Sequence, residues 1–246
     1  MLLTSFLLSV SAPSESAVAV DTGIPIVVRK TCPIGGQQFD FTTTASYSTF
    51  GARMDGRPYG SWTFPLALPE CPGNGLILYK QEFSADELTR LAALIQRPEY
   101  AAMREADTSY YRLAWLLREM GEPVENQLWM LTQATWQDEG GSVRRNRYLA
   151  ELHQRIEAAP PGVGTAVGLA WRSRSVNALR ELGRFEEASA LLAATRTDAA
   201  AADAEENERR NWEGWTGQLD LLRRLVERRD SSIEPPEARP DRRGTD

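Results

Sequence analysis

The stretch Phe83-Ser84-Ala85-Asp86-Glu87-Leu88-Thr89-Arg90-Leu91 divides the chain into two textures. Ser84 and Glu87 form a capping box: the Ser hydroxyl accepts from a free amide of the first helical turn, and the Glu carboxylate accepts from the backbone of the cap. Leu88, Leu91, Ala92 and Ile95 then follow at helical spacing. Short strands are expected before the box and helices almost everywhere after it. The fold class read from this switch is α+β, a small β-rich head followed by an α-helical hairpin array.

Upstream, Ile24 to Val28, Gln38 to Thr44, Ser61 to Leu68 and Leu76 to Phe83 are runs of β-branched, aromatic and apolar residues, and Gly or Pro punctuates each one. Downstream, helix stops and starts alternate. Tyr110 to Met120 ends at Gly121, and Pro123 opens a second helix along Val124, Leu128, Leu131 and Thr135. Leu149, Leu152 and Ile156 mark a third, stopped by Pro160-Pro161-Gly162; Val167, Trp171, Ala178 and Leu182 mark a fourth, ended by Gly183; Phe185, Ala188, Leu191 and Leu192 mark a fifth. A last helix is expected from about Ala199 to Arg228, where Trp212, Trp215, Leu219, Leu222 and Val226 repeat with a/d spacing. That seam implies either docking on the array or pairing with another chain as an oligomer. The expected segments are a leader or signal at 1-20, the head at 21-83, the array at 84-230 and a disordered tail at 231-246.

Composition narrows the function. The 246 residues carry 28 basic and 34 acidic side chains, a net charge of -6, so no overall field draws the molecule to nucleic acid. No apolar run reaches the ~18 residues of a membrane-spanning helix, so no transmembrane segment is expected. One His and two Cys leave little material for imidazole catalysis or a metal site, and no cofactor is expected. Only Lys30 and Lys80 are lysines, a skew that reads as the codon bias of a GC-rich genome. Met1 to Val10 is as long as a secretory h-region and small residues follow it, but no Lys or Arg precedes it. A periplasmic or exported protein is one reading and a cytoplasmic one the other.

The head contains one phrase twice, Cys32-Pro33-Ile34-Gly35-Gly36 and Cys71-Pro72-Gly73-Asn74-Gly75. Each resembles a zinc-ribbon knuckle, C-P-x-C-G, with the second Cys replaced by Gly35 or Asn74. In a zinc ribbon two such knuckles face each other across the ion. The resemblance therefore implies that Cys32 and Cys71 face each other and form a structural disulfide in an oxidising compartment. Inert buried thiols and a zinc retained by Cys32 and Cys71 are the alternatives.

Together with the Leu76 to Tyr79 strand and the helical half, the knuckles resemble an uncharacterised bacterial family of unknown function. That family pairs a zinc-ribbon-like head with tetratricopeptide-like helices, and the resemblance covers about Lys30 to Leu192. Leu182-Gly183-Arg184-Phe185-Glu186-Glu187-Ala188 is similar to the turn inside a tetratricopeptide repeat, and Met120-Gly121-Glu122-Pro123 occupies a comparable turn. The resemblance implies an architecture and no reaction.

For a ligand site the sequence singles out the loop from Tyr47 to Trp62. Arg53 and Arg57 suit a carboxylate or phosphate, Asp55 lies between them, and Tyr47, Tyr59 and Trp62 offer ring surfaces. The competing reading is a solvated hairpin whose aromatics pack on their own sheet. His153 lies on a Leu-lined helical face, and no P-loop, dinucleotide fingerprint or Ser elbow is present. The expectation is a non-enzymatic binding or scaffold protein of the bacterial envelope that contacts a protein or peptide through its helices. A small-ligand receptor or enzyme built on the 47-62 loop, and a cytoplasmic zinc-dependent adaptor, are the alternatives.

Overall fold

The structure, a computed structural model, describes residues 23–138, 141–195 and 206–236. The expected leader at 1-20, the start of the last helix and most of the expected tail lie outside them. Within them the architecture is α+β, with two small sheets followed by a helical C-terminal half.

β1 (Ile24–Thr31) and β2 (Gln38–Ser46) pair antiparallel, with Thr31 opposite Gln38 and Arg29 opposite Asp40. The first Cys knuckle is the turn that joins them. Its backbone closes through the Cys32 N–H to the Gln37 carbonyl, 2.8 Å, and the Gly36 N–H to the Cys32 carbonyl, 3.0 Å. The second knuckle repeats both bonds, from the Cys71 N–H to Leu76 at 2.9 Å and from the Gly75 N–H to Cys71 at 2.8 Å. Gly36 and Gly75 hold φ of 67° and 72°, a left-handed conformation that side chains resist. The knuckles grip each other: the Gly73 N–H donates to Gln37 Oε1 at 2.9 Å, and Asn74 Nδ2 donates to the Ile34 carbonyl at 2.9 Å. Asn74, standing where a knuckle carries its second Cys, is thus a cross-link of another kind.

β3 (Thr49–Ala52) and β4 (Pro58–Gly60) form a second hairpin inside the stretch expected to be a loop. Met54-Asp55-Gly56 is its turn: the Gly56 N–H donates to the Arg53 carbonyl at 2.9 Å, the Arg53 N–H donates to the Arg57 carbonyl at 2.8 Å, and Gly56 takes φ 87°. The strands expected at 61-68 and 76-83 do not form ladders; one bridge, Glu70 to Ile77, is all that pairs there among the described residues. Pro65 and Pro69 lack the amides a ladder needs, and the apolar side chains serve another purpose. Leu76 is buried against α1 to α3 and Ile77 against Leu113 and Leu117, while Phe64 is buried beside Tyr47.

The helices are α1 (Ala85–Ile95), α2 (Pro98–Ala106), α3 (Ser109–Met120), α4 (Val124–Trp136), α5 (Val143–Ala158), α6 (Ala166–Glu181), α7 (Phe185–Ala194) and α8 (Glu206–Glu227). Only α2 had no counterpart in the sequence reading; Pro98 opens it at the first helical turn. Ser84 and Glu87 complete the expected capping box on α1, and Gly121 ends α3 with φ 78°. Neighbouring helices pack in chain order from α3 to α8, and α8 also lies on α6. The a/d seam of α8 is covered within the chain: Leu219, Leu222 and Val226 share a core with Val176, Leu179 and Leu192. A second core joins the head to the array, with Cys32, Cys71 and Leu76 against Leu91, Leu94, Tyr100 and Leu116. Tyr100 ties it further by donating its hydroxyl to the Gly75 carbonyl at 2.6 Å. Among the described residues no helix is long and apolar enough to cross a membrane.

The cap supplies a pH test. Lys80 and the Ser84 backbone hold the Glu87 carboxylate down at about 2, below its ordinary 4.5. A depressed folded-state value means that this contribution to stability is present above pH 4.5 and is lost as pH falls towards 2. Glu87→Gln is expected to flatten the acid limb of a melting-temperature profile in that window and to leave the neutral limb parallel to wild type. An unchanged acid limb would refute the assignment.

Candidate functional site

The tip of the β3–β4 hairpin is not solvated. Arg53, Met54 and Asp55 are 8%, 6% and 5% exposed, because the tip enters the groove between α4, α5, α6 and α8. Met54 joins the core of α6 and α8, and its carbonyl accepts from Gln218 Nε2 at 3.3 Å. The Asp55 carbonyl accepts from the Trp136 indole N–H at 3.3 Å.

Around this tip lies a buried ionic network. Arg53 grips Asp55 with two parallel bonds, Nε to Oδ1 at 3.2 Å and Nη2 to Oδ2 at 2.6 Å, and the Arg57 N–H donates to Asp55 Oδ1 at 3.0 Å. Arg145 of α5 places Nη2 3.5 Å from Asp55 Oδ2, pairs through Nη1 with Glu181, and donates through Nε to the Thr135 carbonyl at 3.1 Å. Glu181 also accepts from Asn177 Nδ2 at 2.8 Å and lies 3.6 Å from Arg180 Nη2. Burial pushes the Glu181 carboxyl up, while Arg145 and Arg180 pull it back. Burial lowers Arg180, with Glu181 and Asp230 opposing. For Arg53, burial is outweighed by the Asp55 bonds and charge, and the guanidinium is held above its ordinary range.

Arg174 is a further cation beside the tip, and among the described residues no carboxylate pairs with it. Arg174 Nη2 would lie 3.8 Å from a Cβ added to Gly56, and its guanidinium is faced by the rings of Trp129, Trp171 and Trp215 at 5.5, 5.2 and 5.1 Å. Desolvation pulls it down to about 10. Ring quadrupoles supply here what an anion supplies elsewhere.

Outward from the tip opens a cavity of about 230 Å³ whose walls include Arg53, Arg57, Tyr59, Trp62, Phe64 and Glu234. A second hollow of about 510 Å³ continues past Arg57, Trp62 and Phe64 to Trp136. Burial, and then the adjacent charge of Arg53, lower the Arg57 guanidinium from its ordinary value. Of the six expected ligand residues the structure thus brings Arg53, Arg57, Tyr59 and Trp62 to one cavity. Asp55 turns inward as the hub of the network, and Tyr47 packs edge-on against Phe64 at 5.2 Å between centroids.

His153 and the cysteines are placed elsewhere. His153 Nδ1 meets Ser175 Oγ at 2.8 Å, Ser175 donates to Glu157 Oε1 at 2.9 Å, and burial lowers the imidazole. A nucleophilic triad needs the carboxylate on the imidazole and an accessible hydroxyl. Here the carboxylate holds the hydroxyl, and Ser175 is fully buried. Cys32 and Cys71 lie at disulfide-bonding distance with Cα atoms 5.6 Å apart, buried in the core they share with α1 to α3. Among the described residues no three His, Cys, Asp or Glu side chains assemble as metal ligands. No protein-family model, curated protein or solved structure matches the chain.

The sequence reading missed Arg145, Arg174, Arg180 and Glu181. The signal that pointed to them was the near absence of lysine. Arg53, Arg112, Arg145 and Arg180 are all buried, and a planar fork that cannot lose its proton suits such positions better than a flexible ammonium. Arg112 is the same device elsewhere, clasping Glu70 beside the second knuckle through bonds of 2.8 and 2.6 Å.

Proposed function

We propose that this chain is a binding protein of the bacterial envelope that seats a carboxylate of a protein or peptide partner in the cleft where the head meets the helices. One observation carries the reading: a single cavity brings the Arg53 and Arg57 guanidiniums together with the rings of Tyr59, Trp62 and Phe64. Paired guanidiniums fix a carboxylate, and rings beside them cover the backbone that carries it. The hairpin tip is locked by its ionic network, so the seat is rigid before the partner arrives, which lowers the ordering cost of binding. The cysteine pair supports an exported location, since such pairs persist as bridges in oxidising compartments. The matching hydrogen bonds of the two knuckles support a ribbon held by sulfur instead of metal.

Titration calorimetry of the full chain with acetyl-Ala-Glu-Ala-amide and its Gln counterpart tests the reading. The Glu peptide is expected to bind, the Gln peptide to give no heat, and Arg57→Gln to weaken binding by about 10- to 100-fold, the worth of one charge-assisted hydrogen bond. Equal binding of the two peptides, or none of the Glu peptide, would overturn it.

A further inference from the structure

A cavity of about 290 Å³ opens at the other end of α6 from the hairpin tip, beside the turn that joins α5 to α6. Ile156 of α5, Leu169 and Trp171 of α6 and Trp212 of α8 are among its walls, all of them buried side chains. Val163 of the turn and Ala194, the last residue of α7, also line it and are exposed, so they stand at its mouth.

Apolar walls gain by closing on one another, and here the turn is pinned so that they do not. Thr165 spends its N–H and its hydroxyl on the Gly162 carbonyl, at 3.0 and 2.7 Å. Gly162 holds φ 61°, and its carbonyl lies so near Gly168 that a Cβ there has no room. From α8, Glu208 Oε1 accepts from the Ala166 N–H at 2.9 Å. The cavity is therefore shaped before anything enters it, which lowers the cost of binding.

The same bonds use up most of the polar groups in the wall. Thr165 Oγ1 also accepts from the Gly168 N–H at 3.3 Å, and the Thr195 hydroxyl donates to the Leu191 carbonyl at 2.7 Å. Arg172 is the one charged side chain among the described residues of the wall. Its Nη1 donates to Glu157 Oε2 at 2.7 Å, while the other oxygen of Glu157 accepts from Ser175 at 2.9 Å. Among the described residues Nε and Nη2 of Arg172 meet no acceptor, and the side chain is 28% exposed. A ligand rich in hydroxyls or amides would bury them here without partners, at a cost. An apolar body with a single acid group matches the donors present. The volume, at the low end of the ~300 to 1,000 Å³ usual for ligand pockets, restricts that body to a small molecule.

We infer that this cavity is a binding site for a medium-chain fatty acid, with the alkyl chain against Ile156, Leu169, Trp171 and Trp212 and the carboxylate on Arg172. An unbranched chain follows a wall of mixed aliphatic and indole surface, and each methylene it buries adds to affinity. The site is separate from the cleft of Arg57 and does not depend on it.

Calorimetric titration of butanoate, hexanoate and octanoate into the full chain at pH 7, below micelle-forming concentrations, tests the inference. Octanol and octylamine serve as neutral and cationic counterparts. The variants are Arg172→Gln, Ala194→Trp and Arg57→Gln, each checked by a thermal melt. Affinity is expected to rise roughly fourfold for each added methylene. Octanol is expected to bind about tenfold more weakly than octanoate, and octylamine more weakly still. Arg172→Gln is expected to bring octanoate down to the level of octanol and to leave octanol unchanged. Ala194→Trp, a change at an exposed position that fills the mouth, is expected to abolish binding of both. Arg57→Gln is expected to change nothing. The inference fails if octanoate gives no heat, if it binds no better than butanoate, octanol or octylamine, or if its binding survives Ala194→Trp. Loss of octanoate binding in Arg57→Gln would place the acid in the other cleft and overturn the inference as well.

Discussion

Replacing Arg145 by methionine is expected to destabilise the protein by about 3 to 5 kcal/mol at neutral pH, the usual consequence of removing one partner from a buried ion pair. Arg145 is 1% exposed, and it alone among the described residues meets both Asp55 of the hairpin tip and Glu181 of α6. Methionine keeps most of the volume and removes the charge. It strands the Glu181 carboxylate in the interior and leaves the Thr135 carbonyl without the donor that lies 3.1 Å away. The comparison is Arg29→Ala, which breaks a pair whose side chains are 65% and 60% exposed and is expected to cost no more than about 1 kcal/mol.

The pH dependence of the loss identifies its cause. Burial already pushes the Glu181 carboxyl up, and removing Arg145 takes away the strongest pull in the other direction. A raised folded-state value gives stability that is present below the ordinary carboxylate range and is lost as pH rises through the raised one. The deficit of Arg145→Met is therefore expected to be larger at pH 8 than at pH 5, where Glu181 takes up a proton and the stranded charge disappears. Urea midpoints followed by tryptophan fluorescence at the two pH values measure this. A deficit under about 1 kcal/mol at pH 8, or one that does not change with pH, would show that the network is not what holds the hairpin tip.

The same network marks the limit of what the sequence discloses. Helix signals are local: Ser84 with Glu87, Gly121 and Gly183 act within one turn of themselves, so the capping box and helix ends were legible. Knuckle signals are nearly as local. Burial of a charge depends on residues 90 positions apart, as with Asp55 and Arg145, and no periodicity encodes that. The loop from Tyr47 to Trp62 was singled out for its polar and aromatic density, yet density cannot say which side chains face inward. Asp55 became the hub and Arg57 the wall of a cavity only because α5 and α6 bring arginines to one side of the hairpin. The strands read at 61-68 and 76-83 failed for a related reason. Their β-branched and apolar residues report burial, and burial against helices looks the same in sequence as burial in a sheet.

Loss of the Cys32 to Cys71 bridge is expected to cost about 4 kcal/mol in the chain-entropy account, from the 39-residue separation it closes. The consequence reaches beyond the head. Cys32, Cys71 and Leu76 are one wall of the core that includes Leu91, Leu94, Tyr100 and Leu116, so freeing the knuckles also loosens the packing of α1 to α3. Because the two cysteines are only 2% and 1% exposed, reductant is expected to act slowly on the native protein and quickly once urea opens it. The experiment compares urea midpoints for the oxidised chain, the chain reduced in urea and refolded, and the double variant Cys32→Ala/Cys71→Ala. Intact mass of the unreduced protein is measured alongside. The bridge predicts a deficit of two protons, no thiol titrating before reduction, and nearly equal lowering of the midpoint in the reduced and double-variant forms. Two thiols titrating in the unreduced protein, or a zinc adduct that leaves with chelator, would overturn the bridge. Asn74 and Gln37, whose cross-knuckle bonds are each 2.9 Å, are retained in every one of these proteins. They are expected to keep the knuckles paired, so the reduced protein should unfold earlier along the same single transition, without splitting into two.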